Sequence, residues 1–222
     1  MTTLQGCPNF RDLGGHSTRD GRRVRTDRVF RSDSLHALTG DDVSELRRIG
    51  VTTVYDLRMP AEVEEFGVGP LYDGEAASRY VHAPLFETTP QRWLASTDPY
   101  TAERVGGEYF DMLELGVASI RRITADLGSE QNLPAVLHCM AGRDRTGTVA
   151  AVLLSALGVD DDAIAADYAV TGERLPAEGL VAGAVEELLG RIDREYGSAV
   201  GYLRAVGVSG PELDGLRQAL LD

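Results

Sequence analysis

The stretch LPAVLHCMAGRDRTGTVAAVLLSALG (133–158) constrains the fold more than any other part of the chain. Its first seven residues form a short apolar run that reads as a buried strand, and TGTVAAVLLSALG reads as a helix stopped by Gly158. Between them, residues 140–145 hold a glycine, two arginines and an aspartate, directly after one of only two cysteines. A strand that turns through such a loop into a helix belongs to a parallel α/β sheet. In that class, ligands bind at the carboxyl ends of the strands.

The loop has a chemistry of its own. Unpaired N–H groups of the loop and of the first helical turn converge on one spot and, with the helix dipole, attract an anion. Cys139 stands at the centre of that field, which favours a thiolate nucleophile. Arg145, six residues on, carries a planar fork suited to two oxygens of a phosphoryl group. Gly142 permits a positive φ or a close backbone approach. The Thr146 hydroxyl is placed to donate to the sulfur and make it a better leaving group.

The rest of the chain supports the same class. Asp20-Gly21 within 13–33 signals a β-hairpin. Thr39 caps a helix that ends at Gly50, and VTTVYDL (51–57) reads as a buried strand. PAEVEEF (60–66) reads as a short helix and RYVHAPL (79–85) as a strand. A long helical stretch covers about 100–127, Asp160 caps a helix over about 161–171, and amphipathic helices fill 176–221. The expected architecture is a central, mostly parallel sheet flanked by helices, with an N-terminal β-hairpin and a helical C-terminus. It forms a single domain over 1–222.

Composition limits the partners. A formal net charge of −13 argues against nucleic acid or an anionic membrane as the main partner. The chain has no lysine, so its 22 cationic side chains are all arginines. The run of arginines over 19–31 reads as a solvated face, with an anion-attracting rim as the sharper alternative. Two cysteines make no disulfide framework, and a reducing compartment is the simpler expectation. No signal peptide or spanning segment is visible, which gives a cytoplasmic default and leaves secretion without a signal open. Cys7, His16, His138 and Cys139 show no recognised zinc-ligand spacing.

HCMAGRDRTG matches the Cys-x5-Arg signature of the protein tyrosine phosphatase superfamily, in the form His-Cys-x-x-Gly-x-x-Arg-Thr-Gly. The wider chain resembles the bacterial tyrosine/serine phosphatase branch, some members of which accept phosphoinositides. NFRDLGG (9–15), RVFRSD (28–33), DLRMPAE (56–62) and YGSAVGYL (196–203) carry that likeness beyond the loop. The resemblance implies a metal-independent, cofactor-free phosphatase working through a thiophosphoryl-cysteine intermediate. Its substrate would be a phosphorylated protein, phosphotyrosine first, or a phospholipid headgroup. Where the branch has Lys-Asp-Arg this chain has Arg143-Asp144-Arg145. A pseudophosphatase that binds phosphate without turnover is the alternative, and an arsenate-reducing or sulfur-transfer enzyme is a third reading.

On that reading Cys139 and Arg145 are catalytic, and Met140, Ala141, Gly142 and Arg143 contact substrate together with Arg58. His138 and Thr146 support the loop. The general acid is open among Asp56 at a strand end, Asp144 in the loop and Asp98 in the irregular segment 86–99. Arg11 and Asp12 are expected as an ion pair beneath the site. Cys7 would protect the nucleophile as a reversible disulfide if it could reach Cys139.

Overall fold

A computed structural model of the chain describes residues 3–72, 78–175 and 179–222. Among the described residues, five strands form one sheet in the order β1-β2-β5-β3-β4. They are β1 (Arg11–Asp12), β2 (Val29–Ser32), β3 (Thr53–Asp56), β4 (Arg79–His82) and β5 (Ala135–His138). Only β1 is antiparallel to its neighbour. The register sets Ser32, His138, Asp56 and His82 in one row across the carboxyl ends of the parallel strands.

Period-two alternation divides β2, β3 and β5 between two cores. Val29, Tyr55, Leu57, Val81, Leu137 and Cys139 face the larger core. Around it lie α4 (Ala102–Leu115), α5 (Val117–Leu127), α6 (Asp144–Leu157), α7 (Asp161–Arg174), α8 (Ala184–Tyr196), α9 (Ala199–Ala205) and α10 (Gly210–Leu220). Phe30, Val54 and Val136 face the smaller core, with Leu4, Cys7, Phe10 and α1 (Gly40–Ile49). Two short helices, α2 (Pro60–Phe66) and α3 (Gln91–Ala95), follow strands β3 and β4.

Local signals account for most boundaries. The Thr39 hydroxyl accepts from the Asp42 N–H, Asp42 accepts in return from the Thr39 N–H, and Gly50 closes α1 at φ 82°. The turn over Thr18 to Gly21 forms, and Ser17 bridges Arg23 in the expected antiparallel sense. The helical stretch 100–127 is two helices rather than one, because α4 stops at Gly116 against Leu85. Asp160 occupies the N-cap position of α7, but its carboxylate accepts from Arg19 Nε at 2.8 Å instead of from the helix. Among the described residues no helix is long and apolar enough to cross a membrane.

Candidate active site

The loop from Cys139 to Arg143 joins β5 to α6, and the helix begins at Asp144, two residues earlier than its apolar pattern suggests. Asp144 in the first turn complements the helix dipole. Three successive loop carbonyls are turned outward and held. Met140 O accepts from the Ser34 N–H at 2.9 Å, Ala141 O from Asn9 Nδ2 at 2.9 Å, and Gly142 O from Arg31 Nη2 at 2.9 Å. In a trans peptide the N–H points opposite to the C=O. The N–H groups of Ala141, Gly142 and Arg143 therefore turn inward, toward the side where the first N–H groups of α6 are also free. Gly142 has φ +66°, and a Cβ there would lie 2.3 Å from Ser32 O.

Arg31 and Arg11 hold the loop from beneath. Arg31 Nη1 donates to Asp167 Oδ2 at 2.5 Å, and Arg11 Nε donates to Asp167 Oδ1 at 3.2 Å. Arg11 also donates to Asp167 O, Thr171 Oγ1 and Asn9 Oδ1. Burial, then the neighbouring Arg31 charge, lowers Arg11 to about 10. Burial works against the Asp167 carboxylate, but Arg31 and Arg11 outweigh it and hold it below the usual range. The expected Arg11–Asp12 pair does not form. Adjacent strand residues point to opposite faces, and Asp12 accepts instead from the Gly14 and Asp27 N–H groups. Arg31 is likewise not part of a solvated face, being buried, while Arg19 and Arg22 are exposed and paired with aspartates.

Arg145 is mostly buried and meets Glu62 of α2 with both terminal nitrogens, Nη2 at 2.9 Å from Oε1 and Nη1 in close contact with Oε2. Burial opposes the guanidinium charge, but Glu62 and the Cys139 charge raise its pKa above the ordinary value. The same pairing overrides burial to hold Glu62 below its ordinary value. The Phe86 ring centre lies 5.7 Å from the guanidinium carbon. Phe86 is braced edge-on by Trp93 of α3, whose Nε1 donates to Asp111 Oδ2 at 2.8 Å.

The three candidate acids sit in different surroundings. Asp56 is wholly buried and accepts from Arg58 Nε at 2.9 and 3.0 Å, Arg58 Nη2 at 2.6 Å and Tyr80 Oη at 3.1 Å. Burial raises its pKa, but the Arg58 bonds, then His138, prevail and keep it low. A wholly buried carboxylate has no face open to substrate, which argues against Asp56 as the acid. Arg58 is wholly buried too, with Nη2 also on Gly67 O at 3.0 Å. It braces Asp56 away from solvent, and its Nη1 has no hydrogen-bond partner among the described residues. Asp98 is exposed and accepts from the Ser96 hydroxyl. Asp144 is 32% exposed, accepts from Arg143 Nε at 3.2 Å, and accepts from Tyr109 Oη at 2.6 Å.

His138 is buried, with Nδ1 3.2 Å from Cys139 O and Nε2 3.6 Å from Asp56 Oδ2. Burial pushes its pKa down in spite of Asp56. Thr146 is buried, and its hydroxyl has no hydrogen-bond partner among the described residues. Cys7 and Cys139 are both free and belong to cores on opposite faces of the sheet. Cys7 Sγ donates to Ser34 O at 3.3 Å, and burial raises its pKa strongly, so it stays a thiol. A Cys7–Cys139 disulfide has no support in this arrangement.

A family model described as the tyrosine phosphatase family matches residues 2–222. The chain belongs to the tyrosine phosphatase family. It is 28% identical to the triple specificity protein phosphatase PtpB of Mycobacterium tuberculosis, over 98% of this chain and 98% of that protein. A putative tyrosine-protein phosphatase of Cupriavidus necator is 35% identical over 75% of this chain and 61% of its own. A tyrosine-protein phosphatase of Nostoc commune is 26% identical over 89% and 75%. Among solved structures, a cysteine variant of P. aeruginosa TpbA in complex with pTyr aligns over 89% of this chain and 88% of its own, at 20% identity and a TM-score of 0.37.

Glu62, Asn9, Asp167 and Tyr109 have no role in the sequence reading, and Arg31 enters it only as part of the arginine run. Glu62, Asn9 and Arg31 lie inside the segments DLRMPAE, NFRDLGG and RVFRSD that carry the resemblance, so a signal is present without this function attached. Asp167 and Tyr109 had no signal beyond helical periodicity.

Proposed function

We propose that this member of the family hydrolyses phosphate monoesters by metal-independent cysteine chemistry, with phosphotyrosine as the first substrate class. The whole 222-residue chain acts as one phosphatase unit. The observation that carries the reading is the set of three outward-held carbonyls at residues 140–142, which turns the loop amides inward beside Cys139 and Arg145.

The Cys139 thiolate attacks phosphorus in line, and the P–O bond to the alcohol or phenol breaks as the S–P bond forms. Loop N–H groups take equatorial oxygens. Glu62 uses the end of the Arg145 fork and leaves the Nε edge for two phosphoryl oxygens. Asp144 gives its proton to the departing oxygen, since of the three candidates it alone stands in the loop with part of its carboxyl open. In the second step the Asp144 carboxylate takes a proton from water. The water oxygen attacks phosphorus, and the S–P electrons return to sulfur, where the unpartnered Thr146 hydroxyl can donate to them.

Phe86 beside Arg145 supports an aryl phosphate, because a phenyl ring entering the loop would meet an aromatic wall. Phosphoserine, phosphothreonine and phosphoinositide headgroups belong in the same substrate panel, given the triple specificity in the name of the M. tuberculosis relative.

The test is steady-state hydrolysis of p-nitrophenyl phosphate in excess EDTA by wild type and Cys139→Ser, with acid-quenched phosphoenzyme measured alongside. Turnover in EDTA that disappears in the variant, with phosphate trapped on Cys139, is the expected result. Phosphate binding without turnover under reducing conditions would overturn it in favour of a recognition module.

A further inference from the structure

Tyr109 and Tyr168 lie outside the loop, yet they end on its carboxylate. Tyr109 on α4 is buried, and its hydroxyl stands 2.6 Å from Asp144 Oδ1 and 2.6 Å from the Tyr168 hydroxyl. Tyr168 on α7 is also buried. Each hydroxyl has one hydrogen. Among the described residues, the Tyr168 hydroxyl has only Tyr109 Oη as a partner, so Tyr168 donates to Tyr109 and Tyr109 donates to Asp144. Burial and the Asp144 charge both raise the pKa of Tyr109, so it keeps its proton across the working range.

We propose that Tyr109, backed by Tyr168, is a positioning residue for the general acid: a two-link donor chain that fixes the Asp144 carboxyl and reserves Oδ2 for the transferable proton. The inference rests on the reading of Asp144 as that acid. A carboxyl on the first residue of a helix is otherwise free to turn about two side-chain torsions. Arg143 Nε lies 3.2 Å from both oxygens and does not choose between them. The Tyr109 bond does choose. With Oδ1 accepting a short O–H bond, the catalytic proton belongs on Oδ2.

The groups facing Asp144 are Arg143 and Arg145 beside it in sequence, Tyr100 ahead of α4, Tyr109 on α4 and Tyr168 on α7. Removing a tyrosine hydroxyl leaves every formal charge in place. Any change that depends on the leaving group then comes from the lost donor.

The experiment measures kcat/KM, which ends at the phosphoenzyme and so leaves out its hydrolysis, for phenyl phosphate, with a poor leaving group, and p-nitrophenyl phosphate, with a good one. It uses full-length wild type, Tyr109→Phe, Tyr168→Phe and Asp144→Asn. Tyr109→Phe is expected to lower kcat/KM for phenyl phosphate about tenfold, the effect of one hydrogen bond to a charged group, with little change for p-nitrophenyl phosphate. Tyr168→Phe lowers the phenyl phosphate value by less, and it decides the matter if Tyr109→Phe does not fold. Equal losses on both substrates would mark a purely structural role and overturn the inference. Asp144→Asn separates the two levels. If it loses the leaving-group-dependent rate while the tyrosine variants change nothing, the inference alone falls. If Asp144→Asn keeps the wild-type rate on both substrates, the acid assignment falls, and the inference falls with it.

Discussion

The Glu62 carboxylate meets the Arg145 guanidinium end-on, taking Nη1 and Nη2 and leaving the Nε edge clear of hydrogen bonds among the described residues. A carboxylate at that end fixes the plane of the fork without occupying the edge a phosphoryl group would use. Glu62 is itself fixed, because its Oε2 also accepts from the Met59 N–H at 2.7 Å at the start of α2. Glu62→Gln keeps the shape and loses the charge. Weakening one charge-assisted bond by about 1.5 kcal/mol corresponds to roughly a tenfold fall in kcat/KM. The expected outcome is that fall, together with weaker inhibition by phosphate or vanadate and a folded circular dichroism spectrum. An unchanged vanadate affinity would refute the positioning role.

Gly142 is the tightest point of the loop. At φ +66°, with Ser32 O 2.3 Å from where a Cβ would be, alanine fits neither the backbone nor the space. Strain of about 1–3 kcal/mol is expected from the dihedral alone. The clash adds the choice of breaking the Arg31–Gly142 O bond or displacing β2. Gly142→Ala should therefore lower the denaturation midpoint and reduce activity per folded molecule, measured by urea unfolding and single-turnover assay on the same sample. A variant with wild-type turnover would mean that the loop does not need this backbone shape.

The catalytic loop is readable from sequence because its chemistry is local. Cys139, Gly142 and Arg145 sit within seven residues, between a strand and a helix whose periods differ. What was not readable is the long-range pairing. Glu62 reaches Arg145 across 83 residues, Tyr109 reaches Asp144 across 35, and Arg31 reaches Asp167 across 136. Nothing in local periodicity records which buried charge meets which. Asp56 and Arg58 show the same limit from the other side. Alternation placed them on one face at the ligand edge, but it could not show that they would pair in a fully buried contact that leaves Arg58 Nη1 without a hydrogen-bond partner among the described residues.

Asp167 joins two buried guanidiniums that otherwise face each other, which makes it the most sensitive charge beneath the site. Asp167→Asn leaves Arg11 and Arg31 buried without their counter-ion. Removing one partner of a buried pair typically costs about 3–5 kcal/mol. Much of that loss should be recovered in a double variant that also replaces Arg11 with methionine, because the second unpaired charge is then gone. Urea denaturation of the two single variants and the double variant measures the coupling. Additive losses would show that Asp167 does not balance the two arginines.

Asp33 lies beside the loop at Gly142, and burial raises it from the ordinary carboxyl value to about 6, despite hydrogen bonds from the Asn9 N–H and Ser32 hydroxyl and the nearby Arg11 charge. The folded chain then holds this proton more tightly than the unfolded chain does. Stability from this group is present below pH 4 and is lost as pH rises toward 6. Asp56, Asp167 and Glu62 act in the opposite sense, since their lowered pKa values favour the folded state above the ordinary carboxyl range. Comparing wild type with Asp33→Asn cancels those three. Asparagine retains the acceptor for the Asn9 N–H and carries no charge to bury. The variant should gain about 1–2 kcal/mol over wild type at pH 7.5, after allowance for partial solvent screening, and the gain should vanish by about pH 4. Urea midpoints at the two pH values test this. A difference that does not change between them would show that Asp33 is not the group that titrates.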